Sequence, residues 1–100
     1  MEFVFDAELW VWEARTDSVW TFVSLPPDAS AEVADLVAGG PSRGFGAVPV
    51  EVQVGLSTWR TSVFPTERGV YVLPVKRAVR RAQDWEVGGS ATVHLRVLEP

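Results

Sequence analysis

Apolar and polar residues alternate along much of the chain, with the period of two that is typical of β-strands. The pattern is clearest at residues 47–55, where valine occupies every second position from Val48 to Val54. Turn-forming residues, mainly glycine, proline and serine, separate the alternating segments. The pattern predicts six strands, at residues 2–13, 19–25, 47–55, 58–64, 70–73 and 91–98.

The alternation also predicts which side chains face the core. In the first strand it places five apolar residues on one face, namely Phe3, Phe5, Ala7, Leu9 and Val11. In the last strand it places His94 and Arg96 on the solvent side. The residues that it directs toward the core are Ala91, Val93, Leu95 and Val97. Trp10 and Trp12 fall on the outer face of the first strand. We expect them to be buried beneath a capping helix, and an exposed patch shared with Trp20 is the alternative.

Two segments have helical spacing. Asp28 and Ser30 are both suitable N-caps for a helix that ends near Ala38, before Gly39-Gly40-Pro41. A second helix is predicted at residues 75–85, in which the core-facing positions are Val75, Ala78, Val79 and Ala82. Six strands and two short helices favour a mainly β fold, namely a six-stranded antiparallel barrel or split barrel whose open ends the helices cover.

Composition and charge limit the classes of function. One hundred residues, of which 47% are apolar and 22% charged, suit a single globular domain at residues 1–100. The net charge of −4 argues against an autonomous nucleic-acid binder, because such proteins are usually basic. The chain has no cysteine, which excludes disulfides and thiolate chemistry. It shows neither a secretory signal nor an apolar run long enough to span a membrane, so we expect a cytoplasmic protein without a membrane partner.

Three segments of the sequence carry a family resemblance. They are TFVSLPPDASAEV at 21–33, VPVEVQVGLSTWRTSVFPTERGVYVLPVKRAVRRA at 48–82 and GGSATVHLRV at 88–97. They resemble the domain-of-unknown-function family DUF1905 over nearly the whole chain, most specifically at residues 59–62 and 75–80. The resemblance implies a small bacterial double-split β-barrel, similar in shape to the barrels of AbrB-like transcription factors and capped by helices. It implies no activity, because the family has none established.

No group of residues has the pattern of a catalytic or metal centre. His94 is the only histidine, and no nucleophile-elbow sequence accompanies the serines that could partner it. The carboxylate pairs Asp6/Glu8 and Glu32/Asp35 are too sparse for a calcium or magnesium loop and are interpreted as solvated faces. The glycines form neither a phosphate-binding loop nor a dinucleotide fingerprint. We therefore predict no catalytic residues, no metal and no cofactor.

The strongest candidate for a binding surface is a basic stripe on the second predicted helix. Helical geometry stacks Lys76 on Arg80 and places Arg77 and Arg81 beside them, so that four cations share one edge of an acidic protein. Arginine suits phosphate and carboxylate groups because its planar fork donates two parallel hydrogen bonds. The alternative is a solvated helix whose basic residues form ion pairs with Glu67, Asp84 or Glu86.

These observations lead to three functional hypotheses. The first is a non-catalytic binding module whose surface joins the basic stripe to Arg60 and Tyr71 and takes an anionic small molecule or an acidic protein partner. Arg60 has structural alternatives, because it can pair with Glu51 on the neighbouring strand or lie over an aromatic ring. The second hypothesis is DNA binding as an AbrB-like dimer, which rests on fold analogy. The third is an enzyme that depends on His94.

Overall fold

The computed structural model describes residues 1–15, 18–38 and 46–98, which form seven β-strands and two α-helices. In chain order these are β1 (Glu2–Glu8), β2 (Trp10–Arg15), β3 (Ser18–Ser24), α1 (Pro27–Ala38), β4 (Val48–Val54), β5 (Ser57–Pro65), β6 (Tyr71–Pro74), α2 (Arg77–Ala82) and β7 (Ser90–Val97). The predicted helix stop at 39–41 lies outside the described residues. Neither described helix has the length and hydropathy of a membrane-spanning segment.

The strands form one antiparallel sheet in the order β1-β7-β4-β5-β6-β3-β2. The first two strands therefore lie at opposite ends of the strand order, although only Leu9 separates them along the chain. Since consecutive residues cannot be far apart, the sheet must curl until its two ends approach each other, and β1 indeed contacts β3. The result is a half-barrel, which confirms the mainly β, antiparallel class.

The number of strands differs from the prediction, because the segment 2–13 is not one strand. It breaks at Leu9, which is fully buried and bonds to the chain just before β7. The Leu9 amide donates to the Gly89 carbonyl at 3.0 Å, and the Gly88 amide donates to the Leu9 carbonyl at 2.8 Å. Ala7 and Leu9 both remain buried across the break. The alternation of apolar residues therefore continues through Leu9, although the chain pairs with β7 before this residue and with β3 after it.

The core lies on the concave face of the sheet, as the alternation predicted for β4 and β7. All four alternating valines of β4 are buried, and in β7 the buried residues are Val93, Leu95 and Val97, with Ala91 partly buried. Helix α1 adds Ala29 and Val33 to this cluster. His94 and Arg96 are exposed, as expected.

Helix α1 begins earlier than the sequence predicts, and helix α2 begins later. Helix α1 starts at Pro27, because the Pro26 carbonyl already accepts from the Ser30 amide at 2.9 Å. Ser30 is therefore not an N-cap. Its buried hydroxyl oxygen accepts a hydrogen bond of 2.9 Å from the Tyr71 amide, which fastens the helix to β6.

Helix α2 covers only Arg77–Ala82, six residues of the predicted 75–85. It ends in a Schellman motif in which Asp84 has a positive φ of 50°. The Trp85 amide donates to the Arg80 carbonyl at 2.8 Å, and the Asp84 amide donates to the Arg81 carbonyl at 3.3 Å. The short helix leaves Val75 in extended chain, where it pairs with β3.

Candidate functional site

A groove with a volume of about 1270 Å³ lies between the outer face of strands β2, β3, β5 and β6 and the beginning of α2. One wall carries aromatic rings, from Trp10, Trp12, Trp20, Phe22 and Phe64. The other wall carries the cations of Lys76, Arg77 and Arg80. We call this feature the aromatic–basic groove.

The aromatic wall is built by the β2–β3 hairpin. Trp10 lies directly opposite Phe22 and Trp12 directly opposite Trp20, so all four rings share one face of the sheet. The Trp10 and Phe22 rings stack with centroids 5.2 Å apart, and the Trp20 and Phe22 rings stack at 6.4 Å with an interplanar angle of 14°. None of the four residues belongs to the buried core cluster.

The expected burial of Trp10 and Trp12 beneath a helix is wrong for Trp12, whereas Trp10 is half-buried. Trp12 is 52% exposed and Trp20 is 53% exposed. Arg77 and Arg80 of α2 line the same groove as these rings, and the helix leaves Trp12 and Trp20 exposed. The alternative that the sequence left open, an exposed patch shared with Trp20, describes Trp12.

Two hydrogen bonds between β3 and the chain before α2 hold the walls together. The Val75 amide donates to the Thr21 carbonyl at 2.9 Å, and the Thr21 hydroxyl donates to the Val75 carbonyl at 2.6 Å. Both residues are buried. Because Thr21 lies between Trp20 and Phe22, and Val75 immediately precedes Lys76, this pairing sets the aromatic wall and the basic wall side by side.

We expect Thr21→Val to lower the free energy of unfolding by about 1–3 kcal/mol, because it leaves the buried Val75 carbonyl without its hydroxyl donor. Chemical denaturation measures the loss. Thr92→Val is the matched control, since the Thr92 hydroxyl donates to Asp6 at an exposed position and its removal should cost less than about 0.5 kcal/mol. Equal losses in the two variants would contradict the role assigned to Thr21.

The structure does not bring all six predicted site residues together. Lys76, Arg77 and Arg80 line the groove, whereas Arg81 is exposed on α2 outside its walls. Tyr71 is only 6% exposed and belongs to the core cluster. Its backbone amide also donates to the Ser30 hydroxyl of α1 at 2.9 Å, so its strand lies against that helix.

Arg60 lies on another part of the surface, on β5 opposite Glu51 of β4. Its Nε atom is 3.6 Å from the Glu51 Oε2 atom, so the predicted cross-strand pair is confirmed. Glu51 also accepts a hydrogen bond from Arg96 of β7. That hydrogen bond and the nearby charge of Arg60 hold the pKa of the Glu51 carboxyl below its usual value. Arg60 is therefore engaged in a surface charge network and does not line the groove.

The cations of the basic stripe have no acidic partner among the described residues. Among the residues whose side chains the structure describes, which are 1–12, 20–38 and 46–98, no carboxylate lies within 4.0 Å of Lys76, Arg77, Arg80 or Arg81, although Glu67, Asp84 and Glu86 are all included. The predicted alternative of ion pairs with those three residues is therefore wrong. In addition, the Arg80 Nε atom is buried without a hydrogen-bond partner in the described part of the structure. Lys76, Arg77 and Arg80 thus line the groove without an ion-pair partner among the side chains that the structure describes.

Other candidate residues do not assemble into a chemical centre. Among the side chains that the structure describes, in residues 1–12, 20–38 and 46–98, no three of His, Asp or Glu are grouped closely enough to hold a metal ion. His94 is exposed in the middle of β7, opposite Val4 on one neighbouring strand and Gln53 on the other.

Comparison with known protein families decides the classification. The family model for a domain of unknown function, DUF1905, matches residues 5–95 of the 100-residue chain. The chain belongs to the DUF1905 family. No curated protein matches it. The matched region of this DUF1905 domain contains both walls of the aromatic–basic groove.

The sequence offered the tryptophans of the aromatic wall only as an alternative, and it did not predict that Phe22 and Phe64 belong to the same wall. A signal for it exists in the sequence, because Trp10 and Trp12 share the outer face of one strand while Trp20 and Phe22 share a face of the next. Two such strands at hairpin spacing place their outer-face residues opposite one another. The antiparallel register of β2 and β3 brings these four aromatic residues together on one surface.

Proposed function

We propose that this DUF1905 domain is a non-catalytic binding module and that its ligand is a small anion held in the aromatic–basic groove. The observation that carries the proposal is that Lys76, Arg77 and Arg80 line one concave surface without a carboxylate partner among the described residues. A cytoplasmic location, which the cysteine-free composition favours, is part of this proposal.

The electrostatics of the groove support an anion. Three cations without local neutralisation repel one another, and an anionic ligand relieves that repulsion. Arginine adds directional donors, because its guanidinium can form two parallel hydrogen bonds with a phosphate or carboxylate. The domain as a whole carries a net charge of −4, so an anion is attracted by this local surface and not by the protein at large.

The shape of the site favours a small molecule over an acidic protein. Small-molecule sites are concave, mostly apolar and equipped with a few polar groups that set the orientation of the ligand. The groove has this composition, with aromatic rings on one side and cations on the other. Duplex DNA binding by a dimer stays a prediction from family shape.

We expect anion binding to depend on Arg77 and not on Arg81. A thermal-shift series with inorganic phosphate, pyrophosphate and citrate, at low and high salt, measures the effect. At about a hundred times its dissociation constant a ligand should add roughly 2.7 kcal/mol to the stability, which raises Tm by several degrees, and added salt should reduce the rise. Arg77→Gln should abolish most of the rise.

Arg81→Gln is the matched control, because it removes the same charge from the same helix but outside the groove walls. Its Tm rise should equal that of the unaltered protein. If both variants lose the rise equally, the anion binds to the helix surface in general and the groove assignment fails. If no anion raises Tm, the proposed function is wrong.

A further inference from the structure

We infer that the groove recognises a planar aromatic ring joined to a phosphate, and that its ligand is a free nucleoside phosphate. The ring would stack on the exposed Trp12–Trp20 pair and the phosphate would bind the cations of Lys76 and Arg77. This inference rests on the proposed function, because it names the class of the anion that the groove takes.

The exposed tryptophan pair is the first observation behind this inference. Trp12 and Trp20 lie directly opposite each other on neighbouring strands, and about half of the surface of each remains accessible. Tryptophan is highly buried on average, so two adjacent exposed indoles outside the core call for a binding partner. The Trp20 ring already stacks on Phe22 with an interplanar angle of 14°, and the planar ring of a ligand can extend such a stack.

The second observation is that hydrogen bonds between distant parts of the chain bring the rings and the cations close together in space. Thr21 is adjacent to Trp20, Val75 is adjacent to Lys76, and two hydrogen bonds join Thr21 to Val75. A ligand that uses both walls must therefore carry its flat group and its negative charge within one small molecule. A nucleoside phosphate has this layout, with a planar base and a phosphate separated by one sugar.

The charge of the domain favours a free nucleotide over a single-stranded nucleic acid. Proteins that bind single strands follow the phosphate backbone with an extended positive groove. Here three cations line the groove, and the net charge of the chain is −4. Each further phosphate of an oligonucleotide would extend beyond these cations into the field of an acidic protein.

Titration followed by tryptophan fluorescence and calorimetry tests the inference. The ligands are adenosine monophosphate, guanosine monophosphate, adenosine, inorganic pyrophosphate and an eight-nucleotide single-stranded DNA. Nucleoside monophosphates should bind more tightly than either adenosine or pyrophosphate. Trp12→Ala and Trp20→Ala should each weaken nucleotide binding about 5- to 30-fold, because each removes a stacking surface, and should leave pyrophosphate binding unchanged.

Two further variants separate stacking from general damage to the fold. Trp12→Phe keeps an aromatic surface and should restore most of the lost affinity. Leu56→Ala changes a residue that is 98% exposed in the turn between β4 and β5, away from the groove, and should have no effect. Arg77→Gln should weaken the binding of nucleotides and pyrophosphate alike.

The outcomes distinguish the inference from the proposed function. If pyrophosphate binds through Arg77 while nucleotides bind no more tightly and the tryptophan variants behave normally, the inference fails and the proposed function stands. If the oligonucleotide binds far more tightly than the mononucleotides, the ligand is a single strand and the choice of a free nucleotide is wrong. If no anion binds, both the inference and the proposed function fail.

Discussion

Replacing Trp85 by alanine is expected to lower the free energy of unfolding by about 3–5 kcal/mol, the range for removing a buried aromatic side chain. Trp85 is 5% exposed and belongs to the core cluster. Its indole N–H donates to the Gly89 carbonyl at 2.8 Å, and its amide closes the end of α2 on the Arg80 carbonyl. One residue therefore joins α2 to the turn that leads into β7.

Trp85→Phe separates the two contributions of this side chain. Phenylalanine keeps a large ring in the core and loses the hydrogen bond to Gly89, so we expect a smaller loss of about 1–3 kcal/mol. Urea denaturation of both variants, with an unchanged slope, gives the two values. If the alanine variant loses no more stability than the phenylalanine variant, burial of the ring does not stabilise the fold as described.

The second large effect is expected for Leu9→Ala, with a loss of about 2–5 kcal/mol. Leu9 is fully buried at the point where the chain passes from one end of the curled sheet to the other. Alanine leaves a cavity at this bend, while the backbone bonds to Gly88 and Gly89 remain available. The same urea experiment measures the loss.

Leu56→Ala is the matched control for Leu9→Ala. Leu56 is 98% exposed, so the same chemical change should alter the free energy of unfolding by less than about 0.5 kcal/mol. A Leu9→Ala variant as stable as this control would show that the bend does not depend on the buried side chain.

Strands such as β4 and β7 were predictable because one face of each is buried, and burial of one face produces a period of two. The pattern carries no information about hydrogen-bond partners, so it could not reveal that residues 2–13 contribute two strands. At Leu9 the side chain stays on the core side while the partner strand changes, and the alternation is preserved. Likewise, the extent of α2 depends on the bond between Val75 and Thr21, which are 54 residues apart.

Only the part of the candidate site that lies on one short segment of the chain could be predicted from the sequence. Arg77 and Arg80 share a wall because helical spacing puts them on neighbouring positions, and Lys76 joins them as the extended residue that precedes α2. The exposure of Trp12 and Trp20 depends on where α2 packs, which is a long-range property. Tyr71 could not be excluded from the surface either, because its burial comes from packing in the core cluster with residues distant in sequence.

The strand order also bears on how the chain folds as it leaves the ribosome. β2 can form its hairpin with β3 as soon as both are synthesised, because they are adjacent in sequence. β1 is made first but pairs with β7, the last strand, so it must wait until residue 97 has emerged. The two strands on either side of Leu9 therefore enter the structure at opposite stages of folding. Until the last strand arrives, the apolar face of β1 is exposed to aggregation and to chaperones.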